Sequence, residues 1–189
     1  MVWLLLGLAI VVLILAAAYW HRGFWRLHIR SRGKSAEIKW QDLGPTPLGE
    51  KRYTPQGMTL AGDCVIFANS WKNTRSRVYR YRLGGWVEDG NFDMPDEAVH
   101  TSGLAWDGKD LWAVDYISNR CYQIDLPASL ASGKARVIAS FPTGLGGTSA
   151  CEMFTYKGER VLAISDFMRT RRTYVIRPAV AVEKGEMAP

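Results

Sequence analysis

SGLAWDGKDLWAVD, residues 102–115, contains two short apolar runs separated by the polar turn Asp107-Gly108-Lys109. Short runs rich in aromatic and β-branched residues, joined by a glycine-containing turn, are typical of β-hairpins. Two further apolar runs, residues 120–125 and 135–141, follow this hairpin closely. The stretch therefore predicts one antiparallel unit of four strands.

The same layout occurs before and after this unit. Its turn glycines, Gly62, Gly108 and Gly158, are 46 and 50 residues apart. A period of 40–50 residues with several short strands per unit is typical of β-propeller blades. Trp86-Val87-Glu88 offers a fourth strand to the first unit, whereas residues 178–185 after the third unit favour a short helix. The sequence predicts an all-β domain at residues 51–189: a partial β-propeller of about three four-stranded blades.

Two motifs resemble known propeller families. Tyr53-Thr54-Pro55-Gln56-Gly57-Met58 resembles the T-Q-G-L strand openings of glutamine-cyclotransferase-like propellers, with Pro55 as a departure. Residues 102–115 are similar to the blade signature G-L-A-x-D-G-x-x-L-W-V-x-D of NHL, gluconolactonase-like and strictosidine-synthase-like propellers. The resemblance covers residues 53–177 and implies blade architecture rather than one activity.

The number of predicted units is low for a propeller. Closed propellers have about four to eight blades, and a stack of three leaves an apolar sheet face uncovered. We expect the chain to be part of a longer propeller. The alternative is a homodimer in which two chains complete one ring.

The segment Val2–Trp20 has no charged side chain and is rich in Leu, Ile, Val and Ala. Its nineteen residues are just enough to cross a hydrocarbon core of about 30 Å as a helix. We predict a transmembrane anchor at residues 1–20, the alternative being a cleaved signal peptide. Residues 21–50 form a basic juxtamembrane segment and linker, whose first part carries five positive and no negative charges. The positive-inside rule then predicts a single-pass membrane protein with a cytoplasmic domain.

The net charge of +6 does not indicate a nucleic-acid-binding protein. The segment 21–34 contributes five positive charges, which leaves 19 basic and 18 acidic residues in the rest of the chain. A nucleic-acid-binding domain needs a basic face of its own, so we expect no nucleic-acid partner. The three cysteines, Cys64, Cys121 and Cys151, form no paired motif and are interpreted as small buried apolar residues.

The starts of the inner strands carry the first candidate site. Counting back six residues from each turn glycine gives Gln56, Ser102 and Glu152, and His100 and Thr101 lie just before Ser102. An imidazole and a carboxylate can support acid–base chemistry, so His100 and Glu152 are the candidate catalytic residues. Gln56, Thr101 and Ser102 are the candidate ligand-binding residues. The alternative is a set of polar groups that line the channel and contact water.

The ends of the following strands carry a second candidate site, made of Asn69, Asp115 and Asp166. Oxygen ligands from several blades could hold Ca²⁺ or another hard divalent cation, as the resemblance to gluconolactonase-like propellers also implies. The alternative is turn capping, because Asn and Asp side chains bind nearby backbone N–H groups.

The glycine-rich run Gly144–Gly147 is followed by a predicted strand, so it lacks the helix N-terminus of a phosphate-binding loop. No complete catalytic set is apparent in the sequence. We therefore expect a membrane-anchored domain that binds an unknown small ligand or protein partner. A metal-dependent hydrolase or lactonase, or a glutaminyl-cyclotransferase-like enzyme, is the alternative.

Overall fold

The computed structural model describes residues 54–70 and 75–187, together with residues 13, 16 and 17. The predicted anchor, apart from those three positions, and the basic segment at residues 21–50 lie outside the described residues. Within the described part of the chain, no helix has the length and apolar character that a membrane crossing needs. The chain divides into two compact units, Met1–Asp42 and Leu43–Pro189.

Three antiparallel sheets make up the described part of the second unit. The first sheet consists of β1 (Thr54–Ala61), β2 (Cys64–Ser70), β3 (Arg77–Arg82) and β4 (Val87–Asp93). The second consists of β5 (Thr101–Trp106), β6 (Leu111–Asp115), β7 (Arg120–Asp125) and β8 (Arg136–Pro142). The third consists of β9 (Thr148–Tyr156), β10 (Glu159–Asp166) and β11 (Thr173–Ile176).

Each strand in a sheet is paired with the next strand along the chain. This confirms the predicted all-β class and its repeated units. The first and second sheets have the four predicted strands, but the third has three. After β11 the chain forms the short helix Pro178–Lys184, which begins with a proline in its first turn and ends at Gly185 with φ +70°. Proline at the start and a left-handed glycine at the end are the usual helix limits.

A second short helix, Leu126–Ser132, separates β7 from β8 and was not predicted. The Asp125 carboxylate accepts a hydrogen bond from the Ala128 backbone N–H at 2.9 Å, and Gly133 ends the helix with φ +68°. The local sequence thus contains an N-cap, an early proline and a C-terminal glycine.

The second sheet is buried on both faces. Side chains alternate across a strand, so Leu111 and Ala113 of β6 lie in a buried cluster with the first sheet. Trp112 and Val114 lie in another cluster with the third sheet. The sheets therefore pack face to face in chain order, as consecutive propeller blades do.

The three sheets pack closely against one another along their inner strands. A Cβ built on Gly57 of β1 would come within 2.9 Å of the Gly103 backbone of β5. A Cβ on Gly103 would in turn come within 2.6 Å of the Cys151 backbone nitrogen of β9. Glycine at these two positions lets β1, β5 and β9 lie side by side, and the starts of these strands are where the candidate site lies.

All three cysteines are buried and free, as predicted. Away from the second sheet, the third sheet shows apolar side chains on its outer face. Tyr156 and Val175 are 54% and 47% exposed there.

Candidate functional site

A register shift near the start of each inner strand shapes the site. In β1 it lies between Pro55 and Met58, and in β5 between Thr101 and Gly103. In the third sheet it lies opposite Ser165 and Asp166, where Thr148 pairs with Asp166 and Ala150 pairs with Ser165. The extra residue in such a bulge redirects its side chain, and Gln56, Ser102 and Ser149 occupy the three bulges.

These three residues line one pocket of about 360 Å³, together with His100, Tyr116 and Phe167. The lining contains an amide, an imidazole, a phenol, a phenyl ring and two hydroxyl groups, with no carboxylate, ammonium or guanidinium group. A pocket of this size and mixed character suits a small ligand. The structure thus brings together three of the predicted residues, Gln56, His100 and Ser102.

Glu152 does not belong to this pocket, and the predicted equivalence with Gln56 and Ser102 is wrong. The reason is the distance from the bulge to the turn: Ser149 lies nine residues before Gly158, whereas Gln56 and Ser102 each lie six residues before their turn glycine. Counting back from Gly158 therefore stops three residues short of the bulge. Glu152 pairs with Ala163 and is exposed, about 10 Å along the strand from Ser149 at 3.3 Å per residue. His100 and Glu152 are not combined in one catalytic pair.

The backbone of His100 is held in place by Asp115. The His100 N–H donates to Asp115 Oδ2 at 2.7 Å, and the His100 carbonyl accepts from the Tyr116 N–H at 2.9 Å. The imidazole lies against the Tyr116 ring with 5.3 Å between the centroids. Among the described residues, neither imidazole nitrogen has a hydrogen-bond partner, so both are available to a ligand.

Ser102 and Thr101 have structural roles. The Ser102 hydroxyl donates to the Thr148 carbonyl at 2.6 Å and so joins the second sheet to the third. Thr101 is completely buried, and its N–H donates to Ser76 Oγ at 2.9 Å. The predicted ligand-binding residue Thr101 is therefore not part of the pocket wall.

The predicted metal residues occupy equivalent register positions. Asn69, Asp115 and Asp166 pair with Pro55, Thr101 and Thr148 at the starts of the inner strands. Within the described ranges, no group of three or more His, Cys, Asp or Glu side chains is placed to hold a metal ion.

Both carboxylates instead cap turns. Asp115 is fully buried, and its Oδ1 accepts from the N–H groups of Ile117 and Ser118 and from the Ser118 hydroxyl at 2.8–3.1 Å. Asp166 accepts from the N–H groups of Met168, Arg169 and Thr170 and from the Thr170 hydroxyl at 2.6–3.2 Å. This pattern fits the turn-capping alternative. Asn69 is buried, and neither atom of its amide has a partner among the described residues.

Hydrogen bonding also sets the ionisation of Asp166. Burial alone would raise the pKa of this carboxyl group, but the donors from Thr170, Arg169 and Met168 outweigh it and lower the pKa. The loop at residues 167–172 is therefore organised around an ionised carboxylate at neutral pH.

The glycine-rich run supports this loop. A Cβ on Gly147 would come within 2.7 Å of Met168 Cγ and 2.9 Å of Tyr116 Cε2, and one on Gly146 within 2.5 Å of Arg169 Cβ. The Gly147 carbonyl also accepts a hydrogen bond from the Phe167 N–H at 2.9 Å. The glycine-rich run thus packs against the loop and allows it to lie close, a role that its sequence does not show.

A second pocket of about 540 Å³ adjoins the first and shares Ser149 and Phe167 with it. Its wall includes Arg171 and Arg172 of the same loop, and the hydroxyl groups of Ser165 and Thr173. This basic pocket could not be predicted from the sequence, because its residues come from three strands and a loop.

Comparison with known proteins supplies no family. No family model matches the chain, and no curated protein matches it. Solved structures that it is similar to include the Cps50 (Swd1) β-propeller domain of Myceliophteria thermophila, at 10% identity and a TM-score of 0.40, over 65% of this chain and 38% of that one.

Two enzymes are also among the similar structures. The PQQ-bound aldose sugar dehydrogenase (Adh) of Streptomyces coelicolor shares 14% identity at a TM-score of 0.41, over 64% of this chain and 41% of that one. The glutaminyl cyclase of Myxococcus xanthus shares 11% identity at a TM-score of 0.34, over 70% of this chain and 68% of that one. The chain spans about two fifths of the length of the first two structures.

Proposed function

We propose that this domain binds a small uncharged ligand in the pocket at the starts of β1, β5 and β9. The observation that carries the proposal is the uncharged pocket of about 360 Å³ between three sheets. The side chains of Gln56, His100 and Tyr116 have no hydrogen-bond partner among the described residues. They are free to bind hydroxyl or amide groups of a ligand, and Phe167 offers an apolar surface beside them.

A binding role agrees better with this geometry than hydrolysis or cyclisation. Acid–base chemistry needs a proton donor and acceptor within reach of one substrate atom, but the pocket wall contains His100 and no carboxylate. Metal-assisted hydrolysis needs free oxygen ligands, whereas the Asp115 and Asp166 carboxylates already accept hydrogen bonds from the turns that they cap.

Saturation-transfer NMR on the full chain in a non-ionic detergent tests the proposal, with a panel of neutral polyols and primary amides as probes. We expect at least one probe class to bind, and the double variant Gln56→Ala, His100→Ala to lose its signal. Thr155→Ala is the control. Thr155 is an exposed polar residue of β9 outside the pocket, so this variant should keep the signal. The proposal is wrong if no probe binds, or if the double variant binds the probe as well as the wild-type chain does.

We also propose that residues 2–20 anchor the chain in a membrane with the sheets on the cytoplasmic side. The uncharged apolar segment and the five positive charges that follow it support this arrangement. Carbonate washing of membranes from expressing cells tests the anchor, and protease protection of closed vesicles tests the side. Release of the chain by carbonate would contradict the anchor, whatever the result of the protease experiment.

A further inference from the structure

The pocket beside the loop at residues 167–172 has the composition of an anion site. Arg171 and Arg172 lie in its wall, and both side chains are exposed. Neither has a carboxylate partner within the described ranges. Five other described arginines do form ion pairs: Arg75, Arg77, Arg80, Arg82 and Arg177. Two guanidinium groups at one pocket are thus left without a counter-charge of their own.

A pair of hydroxyl groups on neighbouring strands also lies in the pocket wall. Ser165 Oγ and Thr173 Oγ1 are 2.9 Å apart, and both residues line the pocket. The pair has two hydroxyl protons, and their mutual hydrogen bond uses one of them. The second proton is free to be donated to a ligand in the pocket.

The loop is organised before any ligand arrives. Asp166 accepts four hydrogen bonds from it, and Gly146 and Gly147 lie directly beneath it. Arg171 is held with φ +52°, a backbone conformation that non-glycine residues rarely adopt. A binding group that is already in position loses less entropy when the ligand binds.

The charges in the wall select the anion. Two guanidinium groups match the two negative charges of a phosphate monoester, and each can bind two phosphate oxygens. The Asp166 carboxylate also lies in the wall, and its charge is shielded by the four donors that it binds. Phe167 and Met168, 65% and 57% exposed, give the organic part of the ligand an apolar surface.

We propose that this pocket binds a phosphate monoester, with Arg171, Arg172 and the Ser165–Thr173 hydroxyl pair on the phosphate and Phe167 with Met168 on the ester group. This site adjoins the uncharged pocket and shares Ser149 and Phe167 with it. Its arginines and its hydroxyl pair are not part of that pocket, so a failure to bind phosphate would leave the proposed function untouched. The phosphate could belong to a soluble metabolite or to a lipid headgroup, and these two sources are distinguished by experiment.

Isothermal titration calorimetry of the full chain in a non-ionic detergent tests the proposal with three probes: inorganic phosphate, phenyl phosphate and dihexanoyl phosphatidic acid. We expect phenyl phosphate to bind about fivefold or more tightly than inorganic phosphate, because its ring adds apolar contact. Binding by phenyl phosphate supports a soluble ligand, and binding by the phosphatidic acid alone supports a lipid headgroup. If none of the three binds, the proposal is wrong.

Charge variants locate the binding. We expect Arg171→Gln with Arg172→Gln to weaken binding about tenfold or more, and the double lysine variant to weaken it about threefold or more, because lysine keeps the charge but not the bidentate geometry. Arg160→Gln removes a single charge at the far end of β10 and is the control for loss of positive charge outside the pocket. Methyl NMR of ¹³C-labelled Met168 reports on the site directly. Binding that is unchanged in both double variants would overturn the assignment.

Discussion

The Gly103 Cα and the Ala150 backbone are so close that a Cβ built on Gly103 would lie 2.8 Å from Ala150 Cα. Real Cβ atoms essentially never approach a neighbouring atom this closely. The contact joins the inner strands of the second and third sheets at the level of the pocket. The second and third sheets can therefore approach this closely only because residue 103 is a glycine.

Replacing Gly103 by alanine should destabilise the domain strongly. The added methyl group would meet backbone atoms of Ala150 and Cys151 on β9, which cannot rotate away as a side chain can. We expect a loss of about 3 kcal/mol, at the upper end for overpacking, measured by urea unfolding. Gly85→Ala, where the nearest atom would be Val87 Cγ2 at 3.9 Å, is the control and should unfold near the wild-type midpoint. Equal midpoints for the two variants would contradict the packing argument.

Asp115→Ala should cost more stability than Asn69→Ala, although both residues occupy the same register position in their sheets. Asp115 binds the N–H groups of His100, Ile117 and Ser118, and buried donors without partners cost about 1–3 kcal/mol each. Asn69→Ala removes no hydrogen bond between described residues. We expect a difference of about 2 kcal/mol or more between the two variants in urea unfolding. A smaller loss for Asp115→Ala than for Asn69→Ala would refute the capping role.

Acid should loosen the loop at residues 167–172 through Asp166. The native pKa of this carboxyl group lies below its ordinary value of 3.8, so its contribution to stability is present above that value. The contribution is lost as the pH falls through the native pKa. Hydrogen exchange of the Met168, Arg169 and Thr170 amides should be slow at neutral pH relative to the Asp166→Asn variant. The difference should shrink in acid, and a difference that grows as the pH falls would be the opposite of what this geometry predicts.

The thiols of Cys121 and Cys151 should resist alkylation until the domain unfolds. Burial raises the pKa of both, and for Cys151 the neighbouring Cys121 adds to the effect. Burial also raises the pKa of Cys64, whose exposed fraction of 6% is no larger than the 8% of Cys151. Cys64, however, is the first residue of β2 beside a hairpin turn, whereas Cys151 packs in the cluster between the second and third sheets. Iodoacetamide labelling followed by mass spectrometry at pH 8 should therefore modify Cys64 first. Rapid labelling of Cys121 in folded protein would show that the second sheet opens far more readily than its packing indicates.

The sheets could be predicted from the sequence because their signals are local. Alternating apolar residues and glycine turns lie within a few residues of one another, as in Trp112 and Gly108, and they specify a hairpin without reference to the rest of the chain. The buried cysteines were predictable for the same reason. The short helix Leu126–Ser132 was not predicted, although Asp125, the proline and Gly133 are local helix signals, because seven residues are too few to show a helical period of apolar side chains.

The site was predicted only in part because it depends on strand length. Gln56 and Ser102 were found by counting from the turn glycines, which works while the same number of residues separates the bulge from the turn. The third hairpin is longer, so the count gave Glu152 where the structure places Ser149. The contact between the loop and Gly147 joins segments that are far apart in the sequence, and no spacing rule reveals it. The partners of Asp166 are local, and they match the turn-capping alternative that the sequence offered.

Pairing of consecutive strands within each sheet has a consequence for how the chain folds. Each sheet can form from one continuous stretch of 29 to 42 residues, so most early contacts close short loops, which favours fast folding. The inner-strand contacts around Gly57 and Gly103 are then the later step, in which preformed sheets dock. Sheets that assemble in this order can form one after another during synthesis, the first while the third is still being translated.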